Sequence, residues 1–331
     1  MNKVVMLAAL LFGAITGAQA ATAIKIATVA PDGTAWMREM RAGADAVKKR
    51  TDGRVEIKFY PGGVMGDEPS VLRKIKIGQL QGGAFTGGEL APVVKDAQIY
   101  SQPFLFRNQE EVDKVRAQLD PALKKEFDQA GFDCVGISGG GFAYLMSVKD
   151  IKNKDDLKAA KVWVPQGDHI AESGFKAGGV TPIPLPLADV YTSLQTGLID
   201  TAANTPAGAI AFQWHTKIKH MVDLPLTYVV GILVIDKKTV DGLSPEDQKA
   251  LNEELGAAFT RLEKINRDDN AQARAALEKQ GVTISTPNAD ETKSWEAIGA
   301  DARKQLVAEN QVTPEMAAAL DKALAQVRGG K

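Results

Sequence analysis

Apolar and polar positions along the chain switch repeatedly between a period of two and a period near 3.6. Strands and helices therefore alternate, which predicts an α/β fold. Ile24–Ala30 is an apolar, β-branched strand that turns at Pro31-Asp32-Gly33. Thr34 then caps a helix with the apolar stripe Trp36, Met40, Ala44 and Val47. Val55–Tyr60 alternates as a strand and stops at Pro61-Gly62-Gly63. Ser70 is placed to cap a second helix ending at Gly78, and a glycine-rich strand follows over 82–88. An irregular run leads to Pro103–Phe106, after which Asn108 starts a helix with acids in its first turn, as the helix dipole favours.

Phe132–Ser138 and Phe142–Val148 read as two strands separated by Gly139-Gly140-Gly141, a point where the backbone can cross between lobes and hinge. Lys161–Val164 is a short strand stopped by Pro165, and a helix covers Ile170–Lys176. The alternating prolines of Val180–Leu187 suit an edge or crossover segment. Asp189 begins a helix to Gly197, and Leu198–Ala202 and Val229–Ile235 are strands. Ser244-Pro245-Glu246-Asp247 starts a helix whose apolar positions continue through Leu277 to a stop at Gly281. Such a helix has about 35 residues and is roughly 50 Å long, more than one lobe is wide.

Length and charge narrow the class. Lys3, the apolar run Val4–Ile15 and Ala18-Gln19-Ala20 form a secretory signal peptide over 1–20, cleaved near Ala20. The rest exceeds what one core holds, since single cores stop growing near ~250–300 residues. The expected division is 21–140 with 230–269 in one lobe and 141–229 with 270–331 in the other. A net charge of −1 offers no basic field for nucleic acid. The single cysteine, Cys134, lies in an apolar stretch and reads as a small buried hydrophobe. Of the histidines, His215 and His220 are five apart, which does not put two ligands on one helix face, and no metal or cofactor motif is present. Without a catalytic constellation, the expectation is a periplasmic, monomeric, non-enzymatic protein that captures a solute between two lobes.

Asp189–Asn204, DVYTSLQTGLIDTAAN, resembles the E-x-Y-x-A-L-Q-x-G-x-x-D-x-x-x-N signature of DctP-type solute-binding proteins of tripartite ATP-independent periplasmic (TRAP) transporters. SQPFLF (101–106) is similar to the family's l-P-F-L-F segment, and GRVEIKFYPGGVMGDEPSVLRKIKIGQLQGG to its strand, glycine turn and helix. The resemblance runs from about Ile24 to Leu251. It implies a periplasmic-binding-protein fold with hinge strands, a long helix spanning both lobes, no cofactor, and docking on the small and large membrane subunits of a TRAP permease.

The resemblance also implies an arginine on the strand 161–165 that pairs with a substrate carboxylate; here that position is Trp163. A second family arginine falls at about Ala143, and Asn204 matches the family asparagine. An indole cannot neutralise a buried carboxylate, but it offers a flat π face and one N–H donor. Trp163 then either stacks on a sugar, polyol, aromatic ring or cation, or fills space while a basic residue elsewhere takes a carboxylate. Asp168 and Glu89 are candidates to counter a cation. Asp32, Phe85, Thr86, Tyr144, Gln166, Trp214 and Tyr228 complete the candidate ligand-binding set. A lyase or isomerase on the same scaffold would need an acid and a base in the cleft, for which Asp168 with His169 is the nearest pair.

Overall fold

The computed structural model describes residues 21–329, so the expected signal peptide lies outside the described residues. The strands are β1 (Thr22–Thr28), β2 (Val55–Tyr60), β3 (Gly82–Thr86), β4 (Phe132–Ser147), β5 (Trp163–Pro165), β6 (Ile183–Leu185), β7 (Thr201–Asn204), β8 (His220–Val222), β9 (Thr227–Asp236) and β10 (Thr283–Ser285). The helices are α1 (Ala35–Arg50), α2 (Glu68–Lys76), α3 (Gly87–Leu90), α4 (Gln109–Gln129), α5 (Lys154–Lys158), α6 (His169–Ala177), α7 (Val190–Thr196), α8 (Pro206–Ala211), α9 (Lys237–Asp241), α10 (Pro245–Lys279), α11 (Ala289–Ala308) and α12 (Pro314–Gly329).

The result is a two-lobed α/β molecule. The strand order β10-β8-β4-β9-β3-β1-β2 runs through both lobes, and β7 also pairs with β4. β1 is parallel to β2 and β3, whereas β9 runs antiparallel to β3 and to residues 132–143 of β4. The far end of β4, Tyr144–Ser147, pairs instead with β7 and β8. Strand alternation separates the cores on the two faces. Ile232 and Val234 face a cluster with Phe85 and α4, and Leu233 and Ile235 face one with α1 and α10. Met146 and Leu145 divide the second lobe in the same way. Helix α12 joins the first lobe's core, where Met316 and Leu320 share a cluster with Leu119 and Leu123 of α4.

Several local expectations shift. Asp67, not Ser70, caps α2, because its carboxylate accepts from Ser70 N at 3.0 Å and Pro69 follows in the first turn. The two strands expected around the glycine triplet are a single strand of 16 residues with register shifts at Cys134/Gly136 and Gly139/Gly141. Gly141 takes φ +112°, a conformation that favours glycine. Helix α10 has the expected extent, 35 residues with Ser244 as its cap.

The bulge displaces backbone groups from the ladder, and α10 supplies their partners. Glu263 accepts from Gly139 N at 2.6 Å, Asn266 Nδ2 donates to Gly139 O at 2.9 Å, and Asn270 Nδ2 donates to Gly140 O at 2.7 Å. Asn270 Oδ1 also accepts from Ala207 N in the second lobe at 3.1 Å. Asn270→Ala strands groups on both lobes. It should lower the unfolding free energy by about 1–3 kcal/mol, measured by denaturant titration.

Candidate functional site

Between the lobes lies a cavity of about 300 Å³. The first lobe contributes Thr28–Ala30 from the carboxyl end of β1, Trp36, and Ala84–Thr86 from the end of β3 with Gly88 and Glu89 beyond it. Strand ends facing a crevice are where open α/β sheets bind ligands. The second lobe contributes Trp163–Pro165, Asp168, Phe175, Ala203, Asn204 and Phe212, and Phe104, Trp295 and Ile298 close one side. Most of this lining is carbon. Gly88 allows the close approach of the lobes, since a Cβ there would lie 2.7 Å from Asp168 Oδ2, while a Cβ at Gly87 would collide with Ala97 O within the first lobe.

Trp163, Asn204, Asp168, Phe85, Thr86 and Glu89 all line this cavity. Trp163 is 5% exposed, and its Nε1–H donates to Leu185 O at 2.9 Å. The expected indole donor is therefore engaged with β6, and the ring offers the cavity carbon alone. Behind it stands Trp214, fully buried, edge-on at 5.4 Å and 81°. Trp214 supports Trp163 and does not reach the cavity. Asn204 Oδ1 accepts from Thr205 N at 2.8 Å, which leaves the Nδ2 amide as a donor on the wall. Asp168 caps α6, accepting from Ala171 N at 2.9 Å.

The remaining candidates lie elsewhere. Gln166 is exposed, with its backbone N–H donating to Leu185 O. Asp32 is exposed and paired with Arg41 at 2.9 Å. Tyr144 lies outside the lining, its ring beneath the Arg274 guanidinium at 5.8 Å. Tyr228 is core, edge-on to Phe142 and Phe106, and its hydroxyl accepts from Gln109 at 3.1 Å. His169 is exposed and does not join Asp168 on the cavity wall.

Sequence reasoning missed Trp36, Phe104, Phe175 and Trp295 as lining residues. Trp36 and Phe104 stood in recognised segments but were read as a helix stripe and a motif. Trp295 carried no local signal, because α11 reaches the cavity only through its packing on α6 and on Phe104, with ring centroids 6.4 Å apart.

The charged groups of the lining are Glu89, Asp168 and the exposed Lys154; no arginine is among them. Burial raises the pKa of Asp168. Burial, with the neighbouring carboxyl of Glu68, pushes Glu89 up to about 8. Glu68 is itself raised, mainly by burial. The two acids can share a proton, while Glu89 also accepts from Thr86 N at 2.7 Å. No cluster of His, Cys, Asp and Glu among the described residues is arranged to hold a metal ion. Nor is any described helix long and apolar enough to cross a membrane.

Residues 26–310 match the sequence profile of DctP, bacterial extracellular solute-binding protein, family 7. The chain belongs to this family. Among similar family members, the 2,3-diketo-L-gulonate-binding periplasmic protein of Escherichia coli is 27% identical over 272 residues, covering 80% of each chain. The C4-dicarboxylate-binding periplasmic protein of Rhodobacter capsulatus is 22% identical over 257 residues, 77% of each. Two crystal structures share the fold. One is a TRAP periplasmic solute-binding protein of Xanthobacter autotrophicus with bound β-D-galacturonate. It is 23% identical at a TM-score of 0.85, over 91% of this chain and 99% of its own. The other is the sugar acid binding protein of Advenella mimigardefordensis with galactonate. It is 19% identical at 0.86, over 93% and 99%.

The Glu68–Glu89 pair makes a signed prediction for this family member. A carboxyl whose folded pKa lies above its unfolded value stabilises least when ionised, so stability through this group falls as pH rises from about 4.5 towards 8. Glu89→Gln keeps the acceptor for Thr86 N and removes the titration. Its melting temperature, relative to the natural protein, should be higher at pH 8.5 than at pH 5.

Proposed function

We propose that this protein captures a small solute by closure of its lobes in the periplasm and passes it, chemically unchanged, to the membrane subunits of a TRAP permease. Membership of family 7 and the interlobe cavity support this reading. The mechanism needs only hinge bending at Gly139–Gly141 and in α10, with a lobe boundary near 140, 229 and 269 and α12 packed against the first lobe. The working form is a monomer whose leader, residues 1–20, has been removed.

The solute itself is the point of departure from the sugar-acid-binding neighbours. The observation that carries this is the lining: aromatic and aliphatic walls, two carboxyls, one exposed lysine and no arginine. The lining's cation is Lys154, and an exposed, hydrated ammonium offsets little of the several kcal/mol that burying a carboxylate costs, so a uronate or aldonate is disfavoured with Trp163 where the resemblance implies an arginine. A solute with an apolar body suits the walls, and a hydroxyl or amine head suits Asn204, Asp168 and Glu89.

A thermal-shift panel of sugar acids, dicarboxylates, polyols, aromatic compounds and amines tests this on the mature protein. A solute at a hundred times its Kd should add about 2.7 kcal/mol of stability. Neutral or cationic compounds should give this shift. Stabilisation by galacturonate or galactonate alone would falsify the ligand assignment while leaving the transport role intact. With a solute in hand, Trp163→Phe retains a carbon face and loses only the bond to Leu185 O. It should lower stability by about 0.5–1.5 kcal/mol and change solute affinity by less than about threefold.

A further inference from the structure

On the far side of Phe104 from the solute cavity lies a second, polar pocket of about 210 Å³, lined in part by Arg107, Arg303, Arg328 and Glu296. We propose that this pocket binds a small oxyanion of carboxylate or phosphate type, held by Arg303 and Arg107, which fastens the wall of the solute cavity at Pro103–Leu105. The anion site stands on its own geometry; only its effect on the wall rests on the solute-capture reading.

The charges in this pocket are unevenly matched. Arg328 is satisfied: it forks onto Glu111 at 3.0 and 2.9 Å and donates to Leu105 O at 2.8 Å. Arg303 has no carboxylate within ion-pair distance among the described residues, although it is half-buried, and its one bond is to Pro103 O at 2.5 Å. Arg107 is exposed; Glu111 accepts from its backbone N–H, and its guanidinium has no partner among the described residues. Glu296, exposed at the rim, and Asp321 face Arg303 from α11 and α12, but neither closes an ion pair with it. Two guanidinium groups thus outnumber the single acid lining the pocket. A guanidinium presents paired N–H donors matched to two oxygens of a carboxylate or phosphate. Burial, followed by the charge of Arg328, lowers the pKa of Arg303, as befits a cation that lacks a counter-ion.

The placement gives the site a consequence. Arg303 and Arg328 hold the carbonyls on either side of Phe104, which sits at φ +51° and lines both pockets. An anion bridging Arg303 and Arg107 would tie α11 to this segment and stiffen one wall of the solute cavity.

Isothermal titration of the solute-free mature protein with inorganic phosphate, and separately with acetate, at constant ionic strength set by chloride, tests the site. The expected result is saturable binding of at least one anion. Arg107→Ala should weaken it about tenfold, the worth of one charge-assisted contact, with an unchanged melting temperature in chloride. Arg303→Gln should abolish it. Since Arg303 also holds Pro103 O, that variant can lose stability, and Arg107→Ala keeps the test decisive. No saturable heat with either anion, or identical binding by the natural protein and Arg107→Ala, overturns the proposal. Because no solute is present, neither result bears on the transport reading.

Discussion

The backbone of Gly139 and Gly140 in β4 is the point on which the two lobes depend. A strand that leaves one sheet and enters another must break its ladder, and a broken ladder leaves buried amide groups that cost free energy unless paired. Glu263, Asn266 and Asn270 meet that need from successive turns of α10, at the i, i+3 and i+7 positions that share one helix face. Glu263 is fixed in turn by Arg116, at 2.9 and 3.0 Å, and Arg116 also holds Ile137 O at 2.9 Å. The long helix is therefore the partner of the crossing strand, and its length follows from having to reach both sides of the bulge.

The lobes meet over a cavity whose ionisable lining is two acids and the exposed Lys154. Burial acts on Asp168 and on the Glu68–Glu89 pair in the same direction, towards the neutral acid. A protonated carboxyl can donate as well as accept, so the wall can serve a hydroxyl; an ionised one serves a cation. The cation of the lining is Lys154, which is exposed, and no guanidinium fork faces the two acids.

The fold was legible where the physics was local. Ser244-Pro245-Glu246-Asp247 marked the start of α10, and the repeat from Leu251 to Leu277 marked its extent, because capping and amphipathic burial act within a few residues. The glycine triplet was read as a break, since sequence shows conformational freedom but not the α10 side chains that let the strand continue. Among the lining residues, Asp168 caps a helix and Asn204 ends a strand beside the cleft, as local signals imply, whereas Trp163 opens β5, which runs over Trp163–Pro165 and not over the expected Lys161–Val164. Tyr228 and Trp214 were not separable from them by type, as the same aromatic ring serves a core or a wall. Trp295 was invisible, as it depends on the packing of a C-terminal helix more than a hundred residues away from β5.

A guanidinium and an indole at position 163 make different demands on their surroundings. An arginine at this position needs carboxylate or water around its five donors. An indole needs one acceptor and a large apolar bed. Leu185 O is the acceptor, supplied by β6, whose parallel pairing with β5 places Trp163 opposite Ile183. Trp214, with Met146, Val190 and Leu194, is the bed. The indole is thus embedded in the second lobe's own core. An arginine placed here by a single mutation would bury a cation against Trp214 and leave Leu185 O with the Gln166 N–H as its remaining donor. The shape of this wall is therefore set by the packing behind it as well as by the residues on it.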